Sequence, residues 1–237
     1  METAGYATLS RQSGLMREMR VVANNIANSA TTGYRSEGLI FSEFVQTAPG
    51  QQSLSMSQAN IFNTSMEQGQ LTQTGGSFDF AIEGDAYFMI ETPLGERLTR
   101  SGAFSPNAEG DLVTMDGHRV LDAGRAPVFI PGTAESIHVG ADGTITADGN
   151  TVGQIGLFQP DEETVLMRED GVMFRAEGEI IDSENAKMVQ GFLEGSNVNA
   201  ITQVTRMIEI QRAYEMGQSF LETEDKRIRN AIEKLIK

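Results

Sequence analysis

Five side chains at strict seven-residue steps, Met207, Tyr214, Leu221, Ile228 and Leu235, dominate the C-terminal stretch of this chain. Seven residues are close to two turns of an α-helix, so all five fall on one stripe. Val204, Ile208, Ile210 and Ile232 fill in around it, no proline follows Pro160, and Gly217 is the only glycine after Gly195. The spacing predicts one amphipathic helix over 198–236, roughly 58 Å long at 1.5 Å per residue. Four heptad steps suit a coiled-coil seam. Gln211, Gln218 and Asp225 occupy its second row, however, and polar side chains there weaken a two-helix seam. They point to several neighbouring helices instead.

A second helix is predicted over 3–30. Leu9, Met16, Met19, Ala23 and Ile26 recur at three- and four-residue steps, with Leu15 and Val22 beside them. Asn24, Asn25 and Asn28 cluster near its end, and Thr31-Thr32-Gly33 supplies breakers, with Gly33 as a left-handed stop. The asparagines suit helix ends and backbone hydrogen bonds to neighbouring chains, because an amide both donates and accepts. Arg35 and Arg212 are read as solvated or as partners of acidic groups on neighbours.

The middle has another rhythm. Phe78-Asp79-Phe80-Ala81-Ile82 alternates, Glu83-Gly84-Asp85 turns, and Ala86-Tyr87-Phe88-Met89-Ile90 is strand-like. Turn signals then recur at Glu109-Gly110-Asp111, Asp116-Gly117, Asp142-Gly143, Asp148-Gly149 and Asp170-Gly171. Short strands punctuated this way predict an all-β domain over 76–182. The Asp-Gly pairs are hairpin turns rather than calcium loops, since 142–148 lacks the alternating oxygen ligands and the closing Glu of an EF-hand. The preceding segment, rich in Gln, Ser, Thr and Asn, reads as an extended linker. The predicted order is an N-terminal helix (1–35), linker (36–75), β domain (76–182) and C-terminal helix (183–237). In class this is α+β, with long, coiled-coil-like terminal helices around a central all-β domain.

Charge and composition exclude several functions. The net charge of −15 leaves no cationic excess for phosphates, so nucleic acid is not an expected partner. That charge is uneven: 1–35 sums to +2, 36–196 to −18 and 197–237 to +1. There is no cysteine, hence no disulfide or thiolate metal site. No stretch reaches the ~18 apolar residues of a membrane span, and the N-terminus lacks the layout of a cleavable signal peptide. Taken alone, these features suggest the cytoplasm without membrane insertion. His118 and His138 are the only histidines, and no HExxH, GxSxG or phosphate-binding glycine loop occurs. No catalytic residue, cofactor or metal is expected, and the chain reads as a non-enzyme.

Three segments resemble one family. Val22-Ala23-Asn24-Asn25-Ile26-Ala27-Asn28, followed by Thr31-Thr32-Gly33-Tyr34-Arg35, resembles the N-terminal signature of flagellar rod and hook proteins. Phe80-Ala81-Ile82-Glu83-Gly84-Asp85-Ala86-Tyr87-Phe88, with Thr99-Arg100-Ser101-Gly102-Ala103-Phe104, is similar to the start of that family's β domain. Gly191-Phe192-Leu193-Glu194-Gly195-Ser196-Asn197-Val198, then Met207-Ile208-Glu209-Ile210-Gln211-Arg212-Ala213-Tyr214, resembles its C-terminal helix. Asp85-Ala86 departs from the two small residues many members carry. The short length resembles the proximal rod type more than the longer distal type.

The resemblance implies a structural subunit whose terminal helices line an inner tube of the basal-body rod, with the β domain outside. It implies export through the flagellar type III apparatus without a cleaved signal, and a place in the periplasmic rod. Its partners would be proximal and distal rod subunits and copies of itself. Leu9, Met16, Val22, Ile26, Met207, Tyr214, Leu221 and Ile228 are the expected packing residues, with Asn24, Asn25, Asn28 and Arg212 as polar assembly contacts. A distal rod subunit and a transient rod cap or assembly factor are the alternatives.

Overall fold

The run Ala86-Tyr87-Phe88-Met89-Ile90 contains no charged side chain. In the computed structural model it is a deeply buried stretch, with every member 5% exposed or less. Backbone is described for residues 2–46, 54–134, 136–183 and 185–236, and side chains for 8–40, 63–134, 136–183 and 185–234. The chain divides into two units. Unit 1 comprises 1–29, 36–66 and 198–237; unit 2 comprises 30–35 and 67–197.

Unit 2 is built around that run. β5 (Phe88–Thr92) lies inside an antiparallel seven-stranded sheet, between β6 (Gly95–Thr99) and β9 (Arg119–Val120). Beyond β6 come β15 (Met173–Glu177) and β14 (Val165–Asp170); beyond β9 come β8 (Leu112–Thr114) and β7 (Phe104–Pro106). Ala86, Phe88 and Ile90 enter one core with Phe80, Ile82, Leu112 and Val120. Tyr87 and Met89 enter a second core with Leu98, Leu121, Phe158 and Phe174. A strand covered on both faces has no need of alternation, so it reads as a continuous apolar run. Phe88 meets Phe104 edge to face at 5.1 Å between ring centroids.

Beside this sheet, β10 (Ile137–Val139), β11 (Thr144–Ala147) and β12 (Asn150–Gln154) form an antiparallel meander. The Asp142-Gly143 turn joins β10 to β11, and Gly143 takes φ +84°. The unit is closed by long-range pairing of its last strands with its first. β17 (Lys187–Gln190) pairs with β4 (Phe80–Glu83), and β18 (Phe192–Glu194) pairs with β3 (Leu71–Gln73).

Unit 1 consists of α1 (Glu2–Ala27), α2 (Ala200–Ile236) and a hairpin of β1 (Glu37–Gln46) and β2 (Leu54–Thr64). The strands pair from Glu37↔Thr64 to Gln46↔Leu54, with a register shift after Ile40. α1 packs against α2 and against both strands. The helices run antiparallel: Glu18 bonds Arg206, while Gln12, earlier in α1, lies beside Gly217, later in α2.

Two expectations are corrected. The fold is mostly β, with eighteen strands and two helices among the described residues, and is not an assembly of long coiled-coil helices. α1 has 26 residues against 37 in α2, or roughly 39 Å against 56 Å. The heptad row therefore outruns its single helical neighbour, and Ile228 is left half exposed. The second correction concerns 36–75, read as an extended linker, which contains the β1–β2 hairpin. Ser, Gln and Asn weaken the β signal there, although the backbone pairs along the hairpin on both sides of the register shift.

Candidate functional site

α2 is apolar on more than one side. Ile210, 2% exposed, marks the face turned into unit 1, where Val21 and Val22 are also buried. At 3.6 residues per turn, Ile201, Val204 and Ile208 point roughly 120–180° away from it. They are 81%, 46% and 43% exposed. Met216 and Phe220, also exposed, border a groove of about 280 Å³ with Thr8, Arg11, Gln12, Leu15, Ala213 and Gly217. A helix with apolar residues on opposite sides is one that expects neighbours on both.

The expected packing residues divide in two. Val22 is buried within unit 1, and Ile26, Met207, Tyr214 and Leu221 are half-buried. Leu9, Met16 and Ile228 are exposed. The side chain of Leu235 lies outside the described residues. The heptad template follows one row, so it missed Ile201, Met216 and Phe220; four-residue steps along the other side of the helix were the available signal.

The polar residues also differ in role. Asn25 is 1% exposed, its Nδ2 donates to the Glu37 carbonyl at 2.8 Å, and its Oδ1 accepts from the Glu37 amide at 3.0 Å. That amide therefore ties α1 to the start of β1 in its own chain. Asn28 Nδ2 donates to the Asn24 carbonyl at 2.9 Å and closes the end of α1. Asn24 and Arg212 are exposed. Arg206, which sequence reasoning did not single out, donates through Nε to Glu18 at 2.8 Å, and that bond holds its pKa above the ordinary value.

In unit 2 the three family-like motifs meet in one buried charge cluster. Arg35, Arg100 and Glu194 are each 2% exposed or less. Arg35 Nη2 lies 2.9 Å from Glu194 Oε1, and Arg100 Nη1 lies 3.4 Å from Glu194 Oε2. The reading of Arg35 as solvated or bonded to a neighbouring chain is thereby corrected. Gly69 N–H donates to Glu194 Oε1 at 3.1 Å, and Gly33 N–H donates to the Glu194 carbonyl at 2.7 Å. Arg100 also donates to the Gly84 carbonyl at 2.5 Å and stacks 5.1 Å from the Tyr87 ring. Desolvation pulls the Arg100 pKa down, against the opposing pull of Glu194, and desolvation likewise pushes Tyr87 up.

Backbone packing seals the cluster. Gly33 has φ +70°, and a Cβ there would stand 2.4 Å from the Ser101 nitrogen, so only glycine fits. Arg168 reaches the Arg35 carbonyl and stacks over Tyr34 at 4.4 Å and Phe174 at 4.9 Å. Asn197 N–H donates to the Tyr34 carbonyl at 3.2 Å, and its Nδ2 to the Glu67 carbonyl at 2.8 Å. Among the described residues no group of three His, Asp or Glu side chains is placed to hold a metal ion, and no helix is long and apolar enough to cross a membrane.

Comparison with known proteins agrees with these motifs. Residues 6–35 match the family described as flagella basal body rod protein. Residues 81–147 match the flagellar hook protein FlgE/F/G D1 domain, and 189–233 the flagellar basal body rod FlgEFG protein C-terminal family. The chain is 40% identical to the flagellar basal-body rod protein FlgF of Mesorhizobium japonicum, over 91% of this chain and 90% of that protein. It is 40% identical to FlgF of Rhizobium meliloti, over 99% and 98% respectively. It is 34% identical to the rod protein FlgG of Agrobacterium fabrum, over 87% and 89%.

Proposed function

The chain belongs to the flagellar basal-body rod protein family, and from that premise we propose that its terminal helices polymerise with those of neighbouring rod subunits and pass torque across the contacts. It is a structural subunit of the proximal, FlgF-type rod and not an enzyme. Its place is the flagellar basal body. Copies of itself and the proximal and distal rod proteins are its partners in this reading. Export through the flagellar type III apparatus, without a cleaved signal, fits a chain that has no cysteine to oxidise.

One observation carries the polymerising role. α2 exposes Ile201, Val204 and Ile208 on the side away from buried Ile210. Burying such side chains against a neighbour gains about 25 cal/mol per Å² of apolar surface. The test is Ile208→Asp. Because Ile208 is 43% exposed, the purified chain should lose no more than about 0.5 kcal/mol of stability, while swimming and rod growth should stop. Normal motility in cells carrying this variant would overturn the reading.

A further inference from the structure

We propose that the Arg35–Glu194–Arg100 cluster is a completion latch: the segment leading out of α1 docks onto unit 2 only after the last strand before α2 is in place. The three charges come from distant parts of the chain. Arg35 ends the 30–35 segment of unit 2, Arg100 follows β6, and Glu194 closes β18. All are sealed from water. Glu194 faces both guanidinium groups, at 2.9 and 3.4 Å.

Before β18 pairs with β3, docking Arg35 beside Arg100 would place two cations together without their shared carboxylate. A buried lysine escapes such a position by losing its proton; an arginine does not. The remaining escape is for the segment to stay undocked. The same carboxyl group also receives the Gly69 N–H, and the Glu194 carbonyl receives the Gly33 N–H. One residue near the end of unit 2 therefore fastens the segments around Gly33 and Gly69 together.

The latch lies within unit 2, and two of its residues are close in sequence to points where the chain changes unit. Residues 29/30, 35/36, 66/67 and 197/198 are the four crossings. Tyr34, Glu67 and Asn197, beside three of them, are joined by the Asn197 hydrogen bonds. A docked 30–35 segment thus signals that unit 2 is folded through Glu194. On the rod reading, on which this consequence rests, only finished copies present their α1 and α2 connections in the docked form.

Hydrogen exchange on the purified full chain tests the latch without any rod, so its failure is distinct from failure of the rod reading. Glu194→Gln keeps shape and an acceptor but removes the charge. It should speed exchange at Gly33, Gly69 and Asn197 by at least about 100-fold, leaving β5 and β6 within about 3-fold. Arg35→Met leaves Arg100 and Glu194 balanced and should keep Gly69 within about 10-fold of the original rate. Adding Arg35→Met to Glu194→Gln should recover about 10-fold of the protection at Gly69, or recover soluble protein if the single variant does not fold. Uniform acceleration across unit 2, an unchanged rate at Gly33 and Gly69, equal effects of the two single variants, or no recovery in the double variant would each overturn the proposal.

Discussion

Unit 1 and unit 2 of this chain solve opposite problems. Unit 1 holds ten cationic and ten acidic residues and is neutral; unit 2 holds eight and twenty-three, so the whole net charge of −15 sits there. Unit 1 leaves Leu9, Met16, Ile201 and Met216 exposed around a small core; unit 2 exposes Leu94, Met115 and Phe129 in turns and edges, but closes two cores around β5 and buries four charges besides, Arg35, Arg97, Arg100 and Glu194. Neutrality removes the long-range repulsion that would oppose stacking of like units, and apolar exposure supplies the attraction. A unit with a large acidic excess resists stacking on its own kind. The difference teaches that attraction and repulsion between copies have been assigned to separate parts of one chain.

The largest test of this contrast is truncation of one buried and one exposed side chain. Phe88 is fully buried and in edge contact with Phe104. Phe88→Ala should destabilise unit 2 by about 3–5 kcal/mol in urea unfolding. Leu9 is 53% exposed, so Leu9→Ala should change the stability of the isolated chain by no more than about 0.5 kcal/mol while weakening association. Equal stability losses would erase the distinction between a closed and an open core.

A middle-sized effect concerns salt. Repulsion between the acidic units extends about 30 Å at 0.01 M salt and about 10 Å at 0.1 M. Raising salt from 0.01 to 0.15 M should therefore strengthen self-association of the full chain several-fold, as read by light scattering. Apolar contacts through unit 1 have no reason to weaken over that range. Tighter association at low salt would mean that ion pairs join the copies, and the charge contrast would lose its meaning.

These properties were unequally legible in the sequence. Periodicity exposes α2, because its apolar row repeats every seven residues, and Asp-Gly turns expose the strands of unit 2. The β1–β2 hairpin is hidden: Ser55, Ser57, Gln58 and Asn60 give little strand signal, and its pairing is a backbone property. The coiled-coil expectation fails because a heptad row states what a helix offers and not what length of partner it meets. The motifs around Arg35, Arg100 and Glu194 are visible individually. Their convergence is not, since it depends on β18 returning to β3 across the whole of unit 2. Arg206 and Glu18 lie on different helices, and only the antiparallel packing brings them together.

The smallest expected effect lies at Asp142, an exposed carboxylate in the turn before β11. The Thr144 hydroxyl donates to it at 2.7 Å and the Thr144 amide at 3.1 Å, and these bonds hold its pKa below the usual carboxylate value. A pKa depressed in the folded state stabilises the fold at pH values above the unfolded pKa. That contribution disappears as pH falls through the depressed value. Asp142→Asn should therefore lower the melting temperature slightly at pH 7, with the gap narrowing toward pH 2. The same substitution removes one negative charge from unit 2, so it should leave association unchanged or marginally tighter. A melting gap that persists undiminished at pH 2 would assign the effect to turn geometry. Weaker association would mean that this acidic surface attracts neighbouring copies, against the division between the two units.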